Sequence, residues 1–181
     1  MIYEVLQTIA DNLNVYFRSK LKIQENKAEL SALVNQDGTI AIQSENKILV
    51  TLVNIEKEPF SVSSQIVGRQ KLSLNIFVLF SCYFSNSNYS ESIRFLDLIL
   101  TYFEENPTLN AVGPFQDKVN NIKIEIETYN VEKAHNIWTT LGAKYIPSAM
   151  YKIRMIVVDS NSISSFVPAL RGIRSKGDVS S

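Results

Sequence analysis

The residues of this chain best suited to chemistry are also its rarest. One histidine, His135, and one cysteine, Cys82, are present. A nucleophilic Cys–His pair requires an exposed thiol in an electropositive environment. Cys82 instead lies in a run of alternating apolar residues, which indicates a buried strand, and His135 lies in a short amphipathic helical segment. We therefore expect a buried, inert thiol and an incidental histidine, and we assign no catalytic role to either.

Two carboxylates offer a second possible chemistry. Glu125 and Glu127 share one face of a predicted strand with Lys123, and two carboxyl groups on one face could act as they do in a glycosidase. The simpler interpretation is a solvated strand face. Lys152 and Arg154 share one face of the last predicted strand, so pairing of the two strands would bring opposite charges together. We expect ion pairs here, not catalysis.

Motifs for other chemistries do not occur in the sequence. There is no glycine-rich phosphate loop, no Gly-x-Ser-x-Gly nucleophile motif and no spacing of His, Cys, Asp and Glu that suits a metal ion. We therefore expect a protein that is not an enzyme, with no cofactor, no metal site and no small-molecule substrate.

Length and composition indicate one globular domain. The chain has 181 residues, 45% of them hydrophobic, which is enough to bury a sizeable core. Lys plus Arg and Asp plus Glu both number 18, so the charge argues against a nucleic-acid partner. The longest apolar run, residues 76–80, falls far short of the ~20 residues of a membrane-spanning helix. With no signal-peptide pattern at the start, we expect a soluble protein made in the cytoplasm, without direct membrane insertion.

Hydrophobic periodicity predicts three helices and several strands. The predicted helices cover residues 2–21, 89–105 and 131–141. The predicted strands cover residues 28–34, 39–43, 47–57, 72–84, 121–129 and 149–158, with polar loops at 60–71 and 108–118. Asn88, with Glu91, and Asn130 are placed to begin the second and third helices, and Gly142 is placed to end the third in a left-handed conformation.

These elements predict a single α+β domain over residues 1–158, in which about three helices pack on a mostly antiparallel sheet. Residues 159–181 are rich in Ser, Gly and charge, and we expect a flexible C-terminal extension. Four apolar residues in it exceed what a plain linker needs and make it a candidate partner-binding arm. They are Ile163, Phe166, Val167 and Leu170.

Several segments, taken in order over residues 1–158, resemble the tube-terminating cap proteins of phage-tail-like contractile injection systems. The first helix, "MIYEVLQTIADNLNVYF", and the strand "ILVTLVNIEKEP" resemble the corresponding elements of that family. So does the long strand followed by Tyr-x-Glu, an amphipathic helix and a Phe-x-x-Asn-Pro ending. The most specific part contains Trp138, Leu141-Gly142, Lys144-Tyr145, Pro147-Ser148, Tyr151-Lys152 and Arg154.

The resemblance implies a structural role in the assembly of a particle. Proteins of this family are expected to form a ring, sixfold, on the distal end of the inner tube, to stop tube growth and to tie the last sheath ring to the tube. The partners implied are further copies of the chain, the tube protein and the sheath protein, and the implied final location is the injection particle. The resemblance implies no catalytic residues.

Three alternatives remain open at the level of sequence. The first is a phage tail-completion protein, the second a small α+β ligand-binding domain and the third a small α+β enzyme. The candidate site residues are a signature expected to pack the helix-to-strand junction. They are Trp138, Gly142, Tyr145, Pro147, Tyr151 and Arg154.

Overall fold

The computed structural model of the protein describes residues 1–42, 44–58, 71–110 and 119–158, and of Lys71, Asn120, Asn121 and Val158 it describes the backbone alone. The helices are α1 (Ile2–Leu21), α2 (Tyr89–Glu105) and α3 (Val131–Thr140), and a 3-10 turn, Asn86–Asn88, precedes α2. The strands are β1 (Ala28–Leu30), β2 (Lys47–Lys57), β3 (Lys71–Tyr83), β4 (Thr108–Leu109), β5 (Val119–Ile126) and β6 (Ser148–Val158).

The six strands form one sheet in the order β1-β2-β3-β6-β5-β4. Only β1 and β2 run parallel, and every other neighbouring pair is antiparallel. The predicted α+β class with a mostly antiparallel sheet and three helices is therefore confirmed. The long strand β3 lies at the centre and pairs along most of its length with β2 and β6.

One face of the sheet packs against α1 and α2. The even-numbered residues Ile76, Val78, Phe80 and Cys82 of β3 are at most 1% exposed on this face, as their strict alternation predicts. The helices contribute a stripe of residues with helical spacing, of which Phe17 meets Phe95 edge to face at 5.1 Å between ring centroids. This face holds the larger of the two apolar cores.

The opposite face packs against α3 and carries a smaller core. Its fully or nearly buried members come from five separate segments and are Leu33, Leu49, Leu79, Trp138 and Met150. The odd-numbered residue Leu79 of β3 is completely buried here. The central strand is therefore covered on both faces, which explains why its odd positions are apolar only in the middle.

The segment between β1 and β2 differs from the prediction. The strand predicted at 28–34 ends at Leu30, and 39–43 forms no strand in its described part but a single bridge from Ile40 to Val34. The reason is local. Asp37 accepts hydrogen bonds from the backbone N–H and the hydroxyl of Thr39, so the chain closes a tight turn instead of extending.

The sheet also has one more strand at its other edge than predicted. Thr108–Leu109, placed in a loop by the sequence, forms β4 against Ile122 and Lys123. Residues 111–118 of that predicted loop, residues 60–70 of the other predicted loop and the predicted arm 159–181 lie outside the described residues.

The apolar spacing of α2 predicts a buried stripe, and the helix is rotated relative to it. The predicted stripe is Ile93, Leu96, Ile99, Leu100 and Phe103. Ile99 and Phe103 are buried as expected, but Phe95 and Tyr102 are buried too, while Leu100 is 36% exposed. Asn88 makes no capping bond to the helix, because it ends the 3-10 turn with φ −110° and ψ 22° instead of the extended backbone of an N-cap residue. Its side-chain amide donates to Asn46 Oδ1 at 3.2 Å, and the predicted capping box does not form.

One further prediction about side-chain direction is only partly right. The alternation of residues 121–129 predicts that Ile122, Ile124 and Ile126 all face the core. Ile122 and Ile124 do, but Ile126 is 53% exposed because it lies beyond the end of β4. In the described part of the chain, no helix combines the length and apolar character that crossing a bilayer requires.

Candidate functional site

The stretch from α3 to β6 is held by two helix ends. Asn130 Oδ1 accepts a hydrogen bond from Lys133 N at 2.9 Å, so the predicted N-cap is confirmed. At the other end, Gly142 has φ +68° and donates to Thr139 O, while Ala143 donates to Trp138 O. This is the Schellman pattern, and the predicted left-handed glycine ends the helix.

Trp138 anchors this stretch to the sheet. Its side chain is 4% exposed among Leu49, Leu79 and Met150, and its indole N–H has no acceptor in the described part of the chain. Tyr145 stacks on it edge to face at 5.4 Å although 67% of Tyr145 is exposed.

Pro147 then ties the stretch to the central strand. It is buried, and its carbonyl accepts a hydrogen bond from Cys82 N at 2.8 Å. The carbonyl therefore extends the β3–β6 ladder past Ser148, where β6 begins. Trp138, Gly142, Tyr145 and Pro147 thus lie together at one helix-to-strand junction.

A ladder of ion pairs lies on the α3 face of the sheet. Lys123 Nζ lies 2.5 Å from Glu125 of the same strand, and Lys152 Nζ of β6 lies 3.8 Å from Glu125 and 3.9 Å from Glu127. Lys133 of α3 reaches Glu127 at 3.7 Å. The predicted pairing of opposite charges across β5 and β6 is confirmed.

The ladder opposes acid catalysis by these carboxylates. The hydrogen bond from Lys123 lowers the pKa of Glu125, and the positive charges of Lys123, Lys152 and Arg154 add to that effect. A glycosidase acid needs the opposite, a pKa raised toward neutrality. The Glu125–Glu127 pair therefore serves strand pairing.

Tyr151 and Arg154 face opposite sides of β6. Tyr151 is buried against Phe80 and Phe103, and burial together with the charge of Glu104 raises its pKa to about 12. Arg154 projects on the α3 face and forms an ion pair with Glu58, which follows β2. The structure therefore does not bring these two side chains together at one site.

Cys82 and His135 are also separated. Cys82 lies in the core under α1 and α2, where burial raises the pKa of its thiol to about 12. His135 is exposed on α3, which covers the other face of the sheet. A Cys–His dyad cannot form across the sheet. Among the described residues, no group of three or more His, Cys, Asp or Glu could hold a metal ion.

Sequence reasoning missed Asn14. This α1 side chain is 3% exposed, its oxygen accepts hydrogen bonds from Lys27 N and Ala28 N, and its amide donates to Ala28 O, all at 2.8 Å. It holds the start of β1 onto the helix. The signal was a lone polar residue inside the apolar stripe of α1, between Leu13 and Phe17.

Among the residues that the structure describes, nothing pairs with the outer edge of β2 over half its length. Strand β1 pairs only with residues Ile48, Leu49 and Val50, so no described strand lies beside residues 52–57. Glu58 N donates to Ser73 O, and by the alternation of an antiparallel ladder the main-chain groups of Ile55 and Lys57 point away from β3. We call residues 52–57 the open edge.

Apolar surface lies on both faces of the open edge. Leu52 and Ile55, each 42% exposed, face the α1 and α2 side, opposite Val78 and Ile76, because a bulge at Val53 keeps them on one face. On the α3 side is a groove of about 190 Å³. It is lined by Val53, Lys133, Asn136, Ile137, Thr140 and Leu141.

A larger cavity of about 450 Å³ lies where the loop before β2 meets the residues after α3. Apolar side chains such as Leu33, Ile40 and Ile146 line much of it, with Glu45 and Lys144 exposed at its side. It offers no grouping of titratable residues with shifted pKa values that would suggest chemistry.

Comparison with known proteins identifies the family. The sequence profile described as the Pvc16 N-terminal domain matches residues 4–171. The chain belongs to the Pvc16 N-terminal domain family. The match runs beyond β6, so this family's domain includes the segment that contains Ile163, Phe166, Val167 and Leu170. No curated protein matches the chain.

Two solved structures share the fold of this Pvc16 N-terminal domain protein. One is a cryo-EM structure of an extracellular contractile injection system, the PVC sheath/tube terminator in its extended state, with a TM-score of 0.67 and 14% identity. It aligns with 100% of this chain, which spans 64% of that one. The other is the anti-feeding prophage cap, a tube-terminating cap, with a TM-score of 0.54 and 14% identity over 95% of this chain and 60% of that one.

Proposed function

We propose that this protein is a structural assembly protein that caps the distal end of the inner tube in a contractile injection system. The observation that carries the proposal is the family match over residues 4–171, joined to a fold shared with a sheath/tube terminator at a TM-score of 0.67. In this proposal the cap stops the addition of tube subunits and ties the last sheath ring to the tube.

The proposed assembly is a ring of identical copies, sixfold, with the tube protein and the sheath protein as its further partners. A ring needs heterologous contacts, in which two different surfaces of each copy meet. The two edges of this sheet are unlike: the open edge of β2 at one side and the two-residue β4 at the other. This asymmetry supports head-to-tail contacts.

A non-enzymatic role is part of the same proposal. It is supported by the ion-paired state of Glu125 and Glu127 and by the burial of Cys82 away from His135. We further propose that the chain is made in the cytoplasm and becomes part of the injection particle, and that residues 159–181 act as an arm that binds a partner.

The test compares particles assembled with and without this chain. Electron microscopy of particles from cells that lack it should show tubes of widely scattered length, and supplying the chain should restore a single length. Native mass spectrometry of the chain with tube protein should show a ring bound to tube ends. A chain that stays monomeric with tube protein, together with unchanged tube lengths in its absence, would overturn the proposal.

A further inference from the structure

We propose that residues 163–167 of one copy add a strand to the open edge of the next copy in the ring. This inference rests on the proposed ring-forming function and names the contact between neighbouring copies. Main-chain groups that point outward from Ile55 and Lys57 offer hydrogen bonds to such a strand.

The pattern of the donor segment fits the two faces of the open edge. In an extended chain, Ile163 and Val167 point one way and Phe166 the other. Val167 would lie beside exposed Leu52, while Phe166 would enter the 190 Å³ groove beside Val53. Cavities of roughly 150 Å³ lined by apolar residues accept a benzene ring, so a phenyl group is of suitable size.

The end of the donor segment fits as well. Strand β1 lies in line with the open edge and ends at Leu30, opposite Val50. A strand added antiparallel to β2 would run toward β1 and must stop before it. Pro168 follows Val167 at this point, and a proline cannot donate to a strand ladder. Arg171 lies three residues after Pro168, so its positive charge would lie beyond the end of the added strand.

Chain length favours a second copy over the same copy. Strand β6 ends at Val158, opposite Lys71, and the new strand would lie three strand spacings away, roughly 14 Å. Lys57 pairs with Leu74, three residues further along β3, which adds roughly 10 Å along the strand. The direct path of roughly 17 Å equals the greatest reach of the chain from Val158 to Ile163. The segment could therefore reach the open edge of its own sheet only if residues 158–163 were fully extended, which favours the open edge of a neighbouring copy.

The test is cysteine crosslinking in particles that contain the full chain. Ser164 and Glu56 would face each other on the α3 side, so the double variant Ser164→Cys with Glu56→Cys should give covalent oligomers with a short bismaleimide. Cys82 does not compete, because it is buried and its thiol pKa is raised to about 12. In the matched control, Asp11→Cys on the exposed side of α1 replaces Glu56→Cys and should give no oligomer.

The contribution of Phe166 is tested in the same double-cysteine variant. Adding Phe166→Ala should lower the yield of covalent oligomers about tenfold, since the groove loses an aromatic side chain. The control Ser165→Ala should leave the yield unchanged.

Three outcomes would overturn the inference. A crosslink within one chain would place the segment on its own sheet. Caps present on tubes of normal length without any covalent oligomer would show that something else occupies the open edge, while the proposed function stands. Caps absent from tube ends would instead contradict the proposed function itself.

Discussion

At the scale of single residues, two side chains carry more of the fold than their neighbours. Trp138 is the largest member of the smaller core and joins α3 to three strands. Asn14 satisfies three main-chain groups that would otherwise be buried without partners. One acts by filling volume and the other by hydrogen bonding, so substitutions at the two positions should behave differently.

We expect Trp138→Ala to lower the free energy of unfolding by about 3–5 kcal/mol, because it leaves a cavity between α3 and the sheet. Trp138→Phe should cost much less, since the indole N–H has no acceptor among the described residues and its removal breaks no bond. Urea denaturation would measure both. The control Thr139→Ala, at an exposed side chain of the same helix, should change stability by about 0.5 kcal/mol or less; equal losses for Phe and Ala at 138 would contradict the packing role.

We expect Asn14→Ala to cost about 3 kcal/mol or more, because Lys27 N, Ala28 N and Ala28 O lose their buried partner. Asn14→Asp should also destabilise, since it keeps the acceptor but loses the donor and buries a charge. Thermal unfolding with Ser19→Ala on the exposed side of α1 as the control would test this. Wild-type stability in Asn14→Ala would show that water replaces the amide.

At the scale of elements, helix ends and strand pairs decide where the chain turns. The third helix ends just before Gly142, whose left-handed backbone turns the chain away from the helix axis. Strands β5 and β6 pair in a register that places Glu125 opposite Lys152. Both features lie on the α3 face.

We expect Gly142→Ala to lower the free energy of unfolding by roughly 1–2 kcal/mol, the cost of a left-handed conformation for a residue with a Cβ. Space is not the reason, because an added Cβ would meet only Val34 Cγ2 at 3.7 Å. Gly142→Asn should therefore cost less than Gly142→Ala, as asparagine tolerates this conformation. Chemical denaturation of the two variants would check the order; equal costs would point to crowding.

The ion-pair ladder should make the stability of the fold depend on pH through the Glu125 carboxylate. Because its folded-state pKa is lowered, the stabilisation is complete above the unfolded pKa of about 4.3 and is lost as the pH falls through the lower folded value. Glu125→Gln should therefore lose less melting temperature than wild type between pH 6 and pH 3. The control Glu132→Gln, at an exposed carboxylate without an ion pair among the described residues, should follow wild type.

At the scale of the whole molecule, the proposed ring depends on the two edges of the sheet and on the C-terminal segment. In this proposal the described part of β2 is the acceptor edge, and the apolar residues after β6 are the donor. One acceptor and one donor per copy generate a closed ring when the rotation between copies suits it.

We expect a chain truncated after Val158 to keep its melting temperature within a few degrees of wild type, because the described cores lie within residues 1–158. Its caps should nevertheless fail to control tube length or hold the sheath. Calorimetry and electron microscopy of particles would measure the two effects. Loss of folding on truncation would contradict the predicted division into a domain and an arm; normal particles would contradict the partner-binding role of the arm.

Features that depend on neighbours in sequence were predictable. The alternation of β3, the cap at Asn130 and the glycine at 142 follow from backbone periodicity and local hydrogen bonds, which act over a few residues. The family resemblance also followed from residues in order along the chain, and the matching profile over residues 4–171 confirms it.

Features that depend on contacts between distant segments were decided only by the tertiary structure. Three features depend on which other element packs next to them. They are the rotation of α2, the hydrogen bonding of β1 to Asn14 of α1, and the exposure of Ile126 beyond β4. Periodicity cannot reveal this, because the free energy of packing is shared between residues far apart in sequence. The sequence alone determined what each segment can become. The tertiary structure decided which edge of the described sheet lacks a neighbouring strand, because an edge exists only once the strand order is known.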